Sequence, residues 1–349
     1  MINNLKKPLI NLATVSVLLL ANPATASSSV YADSFSEDYP DYAKEVSALE
    51  QKLGYICKTL PIPKLQQIAP GVYTSVGSMI WGTPGNFGFN NNMSAVIFED
   101  GVFVYNSGPN EAVAYSFHQA LKKVTNKPVK WVAIENYQGH ANMGASYWRD
   151  IGVKNIYSEK SATQYWNKNF AKSKLRYTRS IGSVINSHST NAAKDYTTFE
   201  NQMTIDVGKG EQVQLINFGG GHTPTMTGAY IPSRNIIFSG DLGFNERLPG
   251  LFEDGSYVEW MESFDKMMAL TNQDTLMIPG HGNPANAQVI KKQTYDYFVE
   301  LADQVKTFMK QGGLVDDVKN IDQSKHKDRP AYKELYEINA RNIYNELNR

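Results

Sequence analysis

The sequence predicts an α/β fold in which β-sheets are covered by helices on their outer faces. Three observations predict it. Short apolar, β-branched runs recur along the chain, and two of them, Ala95–Phe98 and Val102–Tyr105, are joined by Glu99-Asp100-Gly101, a hairpin signal. Stretches of helical periodicity lie between and after these runs. No short-period repeat is present, which speaks against a solenoid. Hairpin strands with interspersed helices suit covered sheets better than a doubly wound parallel fold.

The bulk properties agree. The chain has 349 residues, enough for one large domain or two small ones. Lys+Arg and Asp+Glu each total 34, so the net charge is zero and the basic face of a nucleic-acid binder is not expected. With 42% hydrophobic and 19% charged residues, the composition is that of an ordinary globular protein.

Taken in order, residues 1–26 read as a secretory signal peptide. Lys6 and Lys7 precede an apolar run from Leu9 to Ala21, followed by Ala24-Thr25-Ala26, a small-x-small cleavage signature. The run is short for a bilayer span of about 20 residues and ends in Asn22-Pro23. Cleavage near Ala26 and export to the periplasm or the exterior are expected, with no membrane attachment afterwards. Residues 27–68 read as a helical extension and linker. Tyr42, Val46, Leu49 and Leu53 recur at helical spacing before Gly54, and "LPIPKLQQIAPG" is a Pro-punctuated connector. Cys57 is the single cysteine, so no internal disulfide can form, and a buried small apolar role is expected for it.

The main domain is expected over residues 69–290. Strands are predicted at Val72–Val76, Ala95–Phe98, Val102–Tyr105, Lys154–Tyr157, Val213–Phe218, Gly228–Ile231, Ile236–Ser239 and Thr275–Ile278, with a further strand before "ENYQGH". Helices are predicted at roughly 110–122, 158–168, 258–270 and 293–310. "GSMIWGTPGNFGFNNN", with Trp81 and Phe87, reads as a flap over a pocket. Residues 291–349 read as a helical C-terminal tail. Its first helix carries Tyr295, Phe298, Leu301, Ala302, Val305 and Phe308 as one apolar stripe, expected to face a core.

The chemistry is concentrated at strand ends. Of six histidines, His118, His188 and His326 sit in ordinary helical, polar-loop and charged contexts. The other three follow or lie near apolar strands, each in a Gly-rich turn: His140 in "QGHANMG", His222 in "NFGGGHTPT", His281 in "MIPGHGNP". Asp241 in "IIFSGDLGF" stands directly after a strand. Strand ends are rigid, and Gly lets backbone approach a ligand closely. Imidazole and carboxylate donors suit zinc, iron or manganese.

On these motifs the chain from about Ala69 to about Ala287 resembles the metallo-β-lactamase fold superfamily, most nearly its secreted members with a helical C-terminal tail. "GGGHTP", "FSGDLGF" and "PGHGNP" match three of the family's four motifs, and "GVYTSVG" and "SAVIFEDGVFVYNSG" resemble its opening hairpins. The resemblance implies a four-layer αββα sandwich and a site for one or two ions, zinc before iron or manganese. The remaining motif, H-x-H-x-D-H, departs. Aligned on His140, Glu135 and Tyr137 stand at its first two His positions and Gly139 at its Asp position. Asn106 stands where the family usually has Asp, and Thr225 where Gly is common.

The resemblance therefore implies metal ligands drawn from His140, His222, Asp241, His281 and Glu135, with Asp241 and Glu135 as catalytic carboxylates. Glu135 can be read equally as a ligand or as a carboxylate supporting a ligating histidine. The expected substrate pocket takes Tyr137, Asn142, Trp81, Phe87 and Arg247. Asn142 is alternatively a helix cap and Arg247 a solvated loop charge. The expected partner is a small-molecule substrate. The first functional reading is a secreted metal-dependent hydrolase of an ester, amide or lactone. The second is a catalytically inactive relative that binds a small ligand or partner. The third is iron-dependent redox chemistry on the same scaffold.

Overall fold

Strand β4 (Val102–Tyr105) shows how the layers are built. Successive side chains on a strand point to opposite faces. Val102 and Val104 enter the core between the first sheet and its helices, while Phe103 and Tyr105 enter the core between the two sheets. The same alternation recurs on the other side, where Ile236 and Phe238 face the first sheet and Ile237 faces outward into a third core. Three apolar clusters thus separate four layers, α, β, β and α. The computed structural model describes residues 59–182 and 189–349. The signal-peptide and helical-extension expectations, Cys57 and His188 lie outside the described residues.

The first sheet has seven strands in sequence order: β1 (Gln66–Ala69), β2 (Val72–Ser75), β3 (Met93–Ile97), β4, β5 (Val129–Ala133), β6 (Asn155–Glu159) and β7 (Thr197–Phe199). Strands β1 to β4 pair antiparallel and β4 to β7 parallel. The second sheet has the order β13 (Ala285–Asn286), β12 (Leu276–His281), β11 (Ile236–Phe244), β10 (Met226–Ile231), β9 (Gln212–Gly219), β8 (Gln202–Asp206). Strands β1, β7 and β8 escaped sequence reading because they are short edge-region strands with several exposed polar residues, and β1 lies inside the segment expected to be a connector.

Helices α1 (Glu111–Leu121), α2 (Gly139–Asn142), α3 (Ala145–Asp150) and α4 (Lys160–Ile181) follow strands of the first sheet. Helices α5 (Tyr257–Met268), α6 (Ala287–Lys310) and α7 (Tyr332–Leu347) cover the second. Side-chain caps start several of them: Asn110 accepts from the Val113 amide, Glu159 from Ala162, Ser256 from Glu259 and Asn286 from Gln288. The predicted stripe of α6 is confirmed as core, with Phe298, Leu301, Ala302 and Val305 buried against Trp260 and Phe264. The C-terminal helices are thus one outer layer of the sandwich. Helix α4 runs far beyond its predicted end at residue 168. Its later turns are polar and carry no apolar stripe of the usual width, because one face borders a cavity. Among the described residues no helix is long and apolar enough to cross a membrane.

Candidate metal centre

The centre lies where the C-terminal ends of β5, β11 and β12 meet the loop between β9 and β10. Strand β5 stops at Ala133, and "ENYQGH" turns away from it. Asn136 Oδ1 accepts from the Gln138 amide at 2.7 Å, and Asn142 Nδ2 donates to the Asn136 and Gln138 carbonyls at 2.6 and 3.1 Å. These bonds fold the loop into the single turn α2, which carries His140. The Glu135 carbonyl accepts from the Thr227 amide of β10 at 2.8 Å, stitching the two sheets together beside the site.

Asp241 sits within β11 rather than after it. The ladder between β11 and β12 is irregular around Gly240, whose φ is +53°. Such a bulge re-aims the next side chain, here the fully buried Asp241 carboxylate. A Cβ on Gly240 would lie 1.6 Å from Glu135 Oε2, so glycine is what lets the Glu135 carboxylate lie under the strand. Glu135 Oε2 accepts from the Asp241 amide at 2.7 Å, and Oε1 accepts from Asn91 Nδ2 at 2.9 Å and faces His140 Nε2 at 3.2 Å.

Asp241 has two unlike sides. Its Oδ1 accepts from Asn91 Nδ2 at 2.9 Å and faces His281 Nε2 at 3.2 Å. Its Oδ2 faces His140 Nε2 at 3.1 Å and His222 Nε2 at 3.6 Å, yet accepts no hydrogen bond among the described residues. His222 Nδ1 lies 2.7 Å from the Gly250 carbonyl. A carbonyl only accepts, so Nδ1 carries the proton and Nε2 keeps its lone pair toward Asp241. Ligand atoms of Glu135, His140 and Asp241 all lie within 4.8 Å of one another. An orphaned buried carboxylate oxygen beside imidazole nitrogens and a second carboxylate fits a divalent cation. The structure thus brings together His140, His222, Asp241, His281 and Glu135.

The electrostatics follow from burial and from crowding of charge. Burial, and then the Asp241 charge, push Glu135 from 4.5 up to about 7. Burial alone would depress His140, but contact with Asp241 and Glu135 outweighs it and raises the imidazole from 6.5 to about 9. Burial also opposes ionisation of Asp241, but His281 and His140 alongside hold its carboxyl well below the usual range. His281 is pushed down to about 3 by burial and by the adjacent Arg247 guanidinium. His222 is lowered, chiefly by burial. The result is a pair of buried carboxylates with one readily protonated imidazole between them, an environment that favours added positive charge.

A cavity of about 580 Å³ opens onto these groups, with His140, His222 and His281 in its lining. Trp81, Tyr137 and Arg247 line it as expected. Phe87 and Asn142 do not. Phe87 is turned by its left-handed backbone, φ +57°, and packs against the core of the first sheet. Asn142 spends its amide on the loop carbonyls, neither facing the cavity nor capping a helix. Tyr137 donates to Asp254 and stacks on Tyr165 at 4.1 Å between ring centroids, so its hydroxyl is turned away from the ligand cluster. Arg247 is 3% exposed, not a solvated loop charge. His118 is buried with Nδ1 2.7 Å from the Tyr147 hydroxyl, and His326 packs edge-on against Tyr297, both structural as expected.

Sequence reasoning missed three groups. Asn91 bridges Glu135 and Asp241 and is itself held by Asn106 Nδ2 at 2.9 Å. Gln138 Oε1 lies 3.2 Å from His222 Nε2. Tyr177 of α4 fills the space beside Gly139: a Cβ on Gly139 would lie 2.4 Å from the Tyr177 ring, and the phenol accepts from the His140 amide. The "NNN" run was the only available sign of Asn91. Tyr177 belongs to a helical face (Tyr165, Asn169, Lys172, Arg176, Tyr177) that becomes visible only once α4 is drawn to its full length.

Comparison with known proteins agrees with this geometry. The sequence model of the metallo-β-lactamase superfamily matches residues 143–281, a stretch that holds His222, Asp241 and His281 and begins just after "ENYQGH". The type 2 metallo-β-lactamase of Bacteroides fragilis is 25% identical over 131 residues, which are 31% of this chain and 53% of that protein. The chain therefore spans about half the length of this curated relative. Among solved structures, TMB-1 aligns with a TM-score of 0.52 at 15% identity, over 68% of this chain and 97% of that one. The mono-zinc form of FIM-1 from Pseudomonas aeruginosa aligns with a TM-score of 0.51 at 16% identity, over 68% and 95%. Two mixed sheets between helical layers, with His140, His222, Asp241 and His281 gathered at one edge of the sandwich, give this chain the metallo-β-lactamase fold.

Proposed function

We propose that the protein is an exported metal-dependent hydrolase of an ester, amide or lactone. The observation that carries this reading is the buried Asp241 carboxylate, whose Oδ2 faces His140 and His222, two imidazoles that line the cavity. His140, His222, His281 and Asp241, with Glu135, are the residues available to hold zinc, iron or manganese. When bound, such an ion supplies Lewis-acid polarisation of a carbonyl and lowers the pKa of water to about 7.

The chain's own residues do the rest. Glu135 fixes the Asp241 backbone through its amide and, with Asn91, holds the carboxylate in one orientation. His140, between two carboxylates, holds or releases a proton at Nε2. Trp81, Phe252, Tyr137 and Tyr165 give the cavity aromatic walls that exclude water around a small substrate. Lys172 and Arg176 on α4 add positive charge to one wall, which favours a substrate bearing a carboxylate.

Elemental analysis of the mature chain after dialysis against dilute chelator tests the metal. A panel of chromogenic esters, lactones and amides then tests the reaction. Near-stoichiometric metal with turnover abolished by chelator is the expected result. One observation favours the second reading, an inactive binding module. Tyr177 fills the space beside Gly139, so the room for the motif's one carboxylate is taken and not merely vacant. Stoichiometric metal with no turnover of any class in the panel would select that reading.

A further inference from the structure

The two sides of Asp241 differ in a way that fixes how many ions the centre can hold. On the Oδ2 side the oxygen faces His140 Nε2 at 3.1 Å and His222 Nε2 at 3.6 Å, where His222 presents a lone pair. The Oδ1 side is closed. Asn91 donates to Oδ1 at 2.9 Å, and His281 Nε2 lies 3.2 Å away. Arg247 Nη1 lies 2.7 Å from His281 Nδ1 and 3.1 Å from its Nε2. A guanidinium only donates and stays protonated in proteins, so Arg247 sets a fixed positive charge against the His281 ring. An ion bound through His281 would sit beside that fixed cation in a water-poor site, where like charges repel strongly.

Arg247 is itself under-satisfied. No carboxylate lies within ion-pair distance of it among the described residues, and its buried Nε has no hydrogen-bond acceptor there. Its guanidinium lies 4.8 Å from the Trp81 ring centroid at the cavity wall. Arg329 holds it in place from outside, donating to the Glu246, Arg247 and Gln293 carbonyls. A buried, unpaired arginine at the edge of a ligand cavity is costly unless an anion completes it.

We propose that Arg247 takes the place of a second metal ion. The centre holds one divalent cation on the Oδ2 side of Asp241, and Arg247 supplies a permanent positive charge on the Oδ1 side, where it receives an anionic oxygen of the ligand. His281 then serves as the link between Asp241 and Arg247 and not as a metal ligand. This rests on the metallo-hydrolase reading for the first ion.

The test is zinc titration of metal-free full-length mature protein, reading bound zinc per chain by elemental analysis and affinity by calorimetry. Wild type is expected to saturate at one tight zinc, and Arg247→Met, which keeps the stem against Trp81, at two. His222→Ala should weaken the tight site by more than the roughly 10–100-fold that loss of a supporting partner costs. His281→Ala should leave it within a few-fold. Two tight zincs in wild type, one in Arg247→Met, or loss of the tight site in His281→Ala overturns the proposal. No zinc bound by wild type overturns the metallo-hydrolase reading along with it, a separate outcome from two. If Arg247→Met loses its near-UV circular dichroism, the contrast between His222→Ala and His281→Ala decides alone.

Discussion

The two sheets contribute unequally to one centre. The second sheet delivers His222, Asp241 and His281 from a glycine loop and two strand ends that keep the family's motif residues. The first sheet delivers Glu135, Gln138, Gly139 and His140 from a loop that matches the H-x-H-x-D-H motif only at His140. Yet that loop is closely held. Glu135 has a partner on each oxygen, Asn91 and Asn106 brace it, and Tyr177 occupies the room beside Gly139. The difference teaches that a loop unlike the motif is still held by specific contacts, each of which leaves a buried polar group unpaired if broken, at roughly 1–3 kcal/mol.

The comparison breaks most sharply at Asp241, the residue both halves share. Asp241→Asn is expected to lower zinc affinity by more than about 100-fold, beyond the effect of losing a supporting partner. Calorimetric titration measures it, and a variant that still binds within tenfold would move the ion away from Asp241 altogether. Next comes the first-sheet loop. Gly139→Asp should cost about 3 kcal/mol from overpacking against Tyr177. The double variant with Tyr177→Ala should recover much of that loss, because the two positions compete for one space. Thermal unfolding of the single and double variants decides this, and strict additivity would show that Tyr177 does not occupy the vacated place.

Glu135 sharpens the contrast at a smaller scale. Glu135→Ala strands the Asp241 amide and one Asn91 hydrogen, at about 1–3 kcal/mol, whereas Glu135→Gln keeps an acceptor for one of them and should lose less. Zinc titration of the same pair separates the roles of this carboxylate. Unchanged affinity in Glu135→Gln assigns it to support, and a large loss assigns it to coordination.

The smallest expected effect is a pH dependence of metal-free protein. His140 is raised from 6.5 to about 9 in the folded state. Its contribution is therefore complete below pH 6.5 and is lost as pH rises through 9. Glu135, raised from 4.5 to about 7, works in the same direction at lower pH. His281, lowered from 6.5 to about 3, works oppositely, but only below pH 6.5. Between pH 7 and 9 His140 is the group among these three that dominates the change. The Tm of metal-free wild type should fall over that range, and the Tm of His140→Gln should fall less. Parallel slopes would mean that His140 does not hold the raised proton.

Much of this was legible in the sequence, for a local reason. Period-2 and helical periodicity report which face of an element is buried, so most strands and helices were placed within a few residues. Gly-rich turns after apolar runs identify strand ends, so His140, His222, Asp241 and His281 were singled out as candidates without coordinates. The errors also have a physical pattern. The short edge strands β1, β7 and β8 carry too little apolar pattern to be seen, and α4 was cut short because its last turns face a cavity and not a core. Phe87 was misplaced because a left-handed backbone, φ +57°, turned it into the core.

What the sequence determined by itself was the layered fold and the four strand-end ligand candidates, because both depend on interactions within one element. What only the tertiary structure decided was the character of the site. Asn91 reaches Glu135 across 44 residues of sequence and Asp241 across 150, and Arg247 reaches His281 across 34. Such contacts depend on how separate layers dock, and a side chain's charge state and partners are set by that docking. The sequence therefore marks the candidate ligands, and the packing of the two sheets decides what each of them faces.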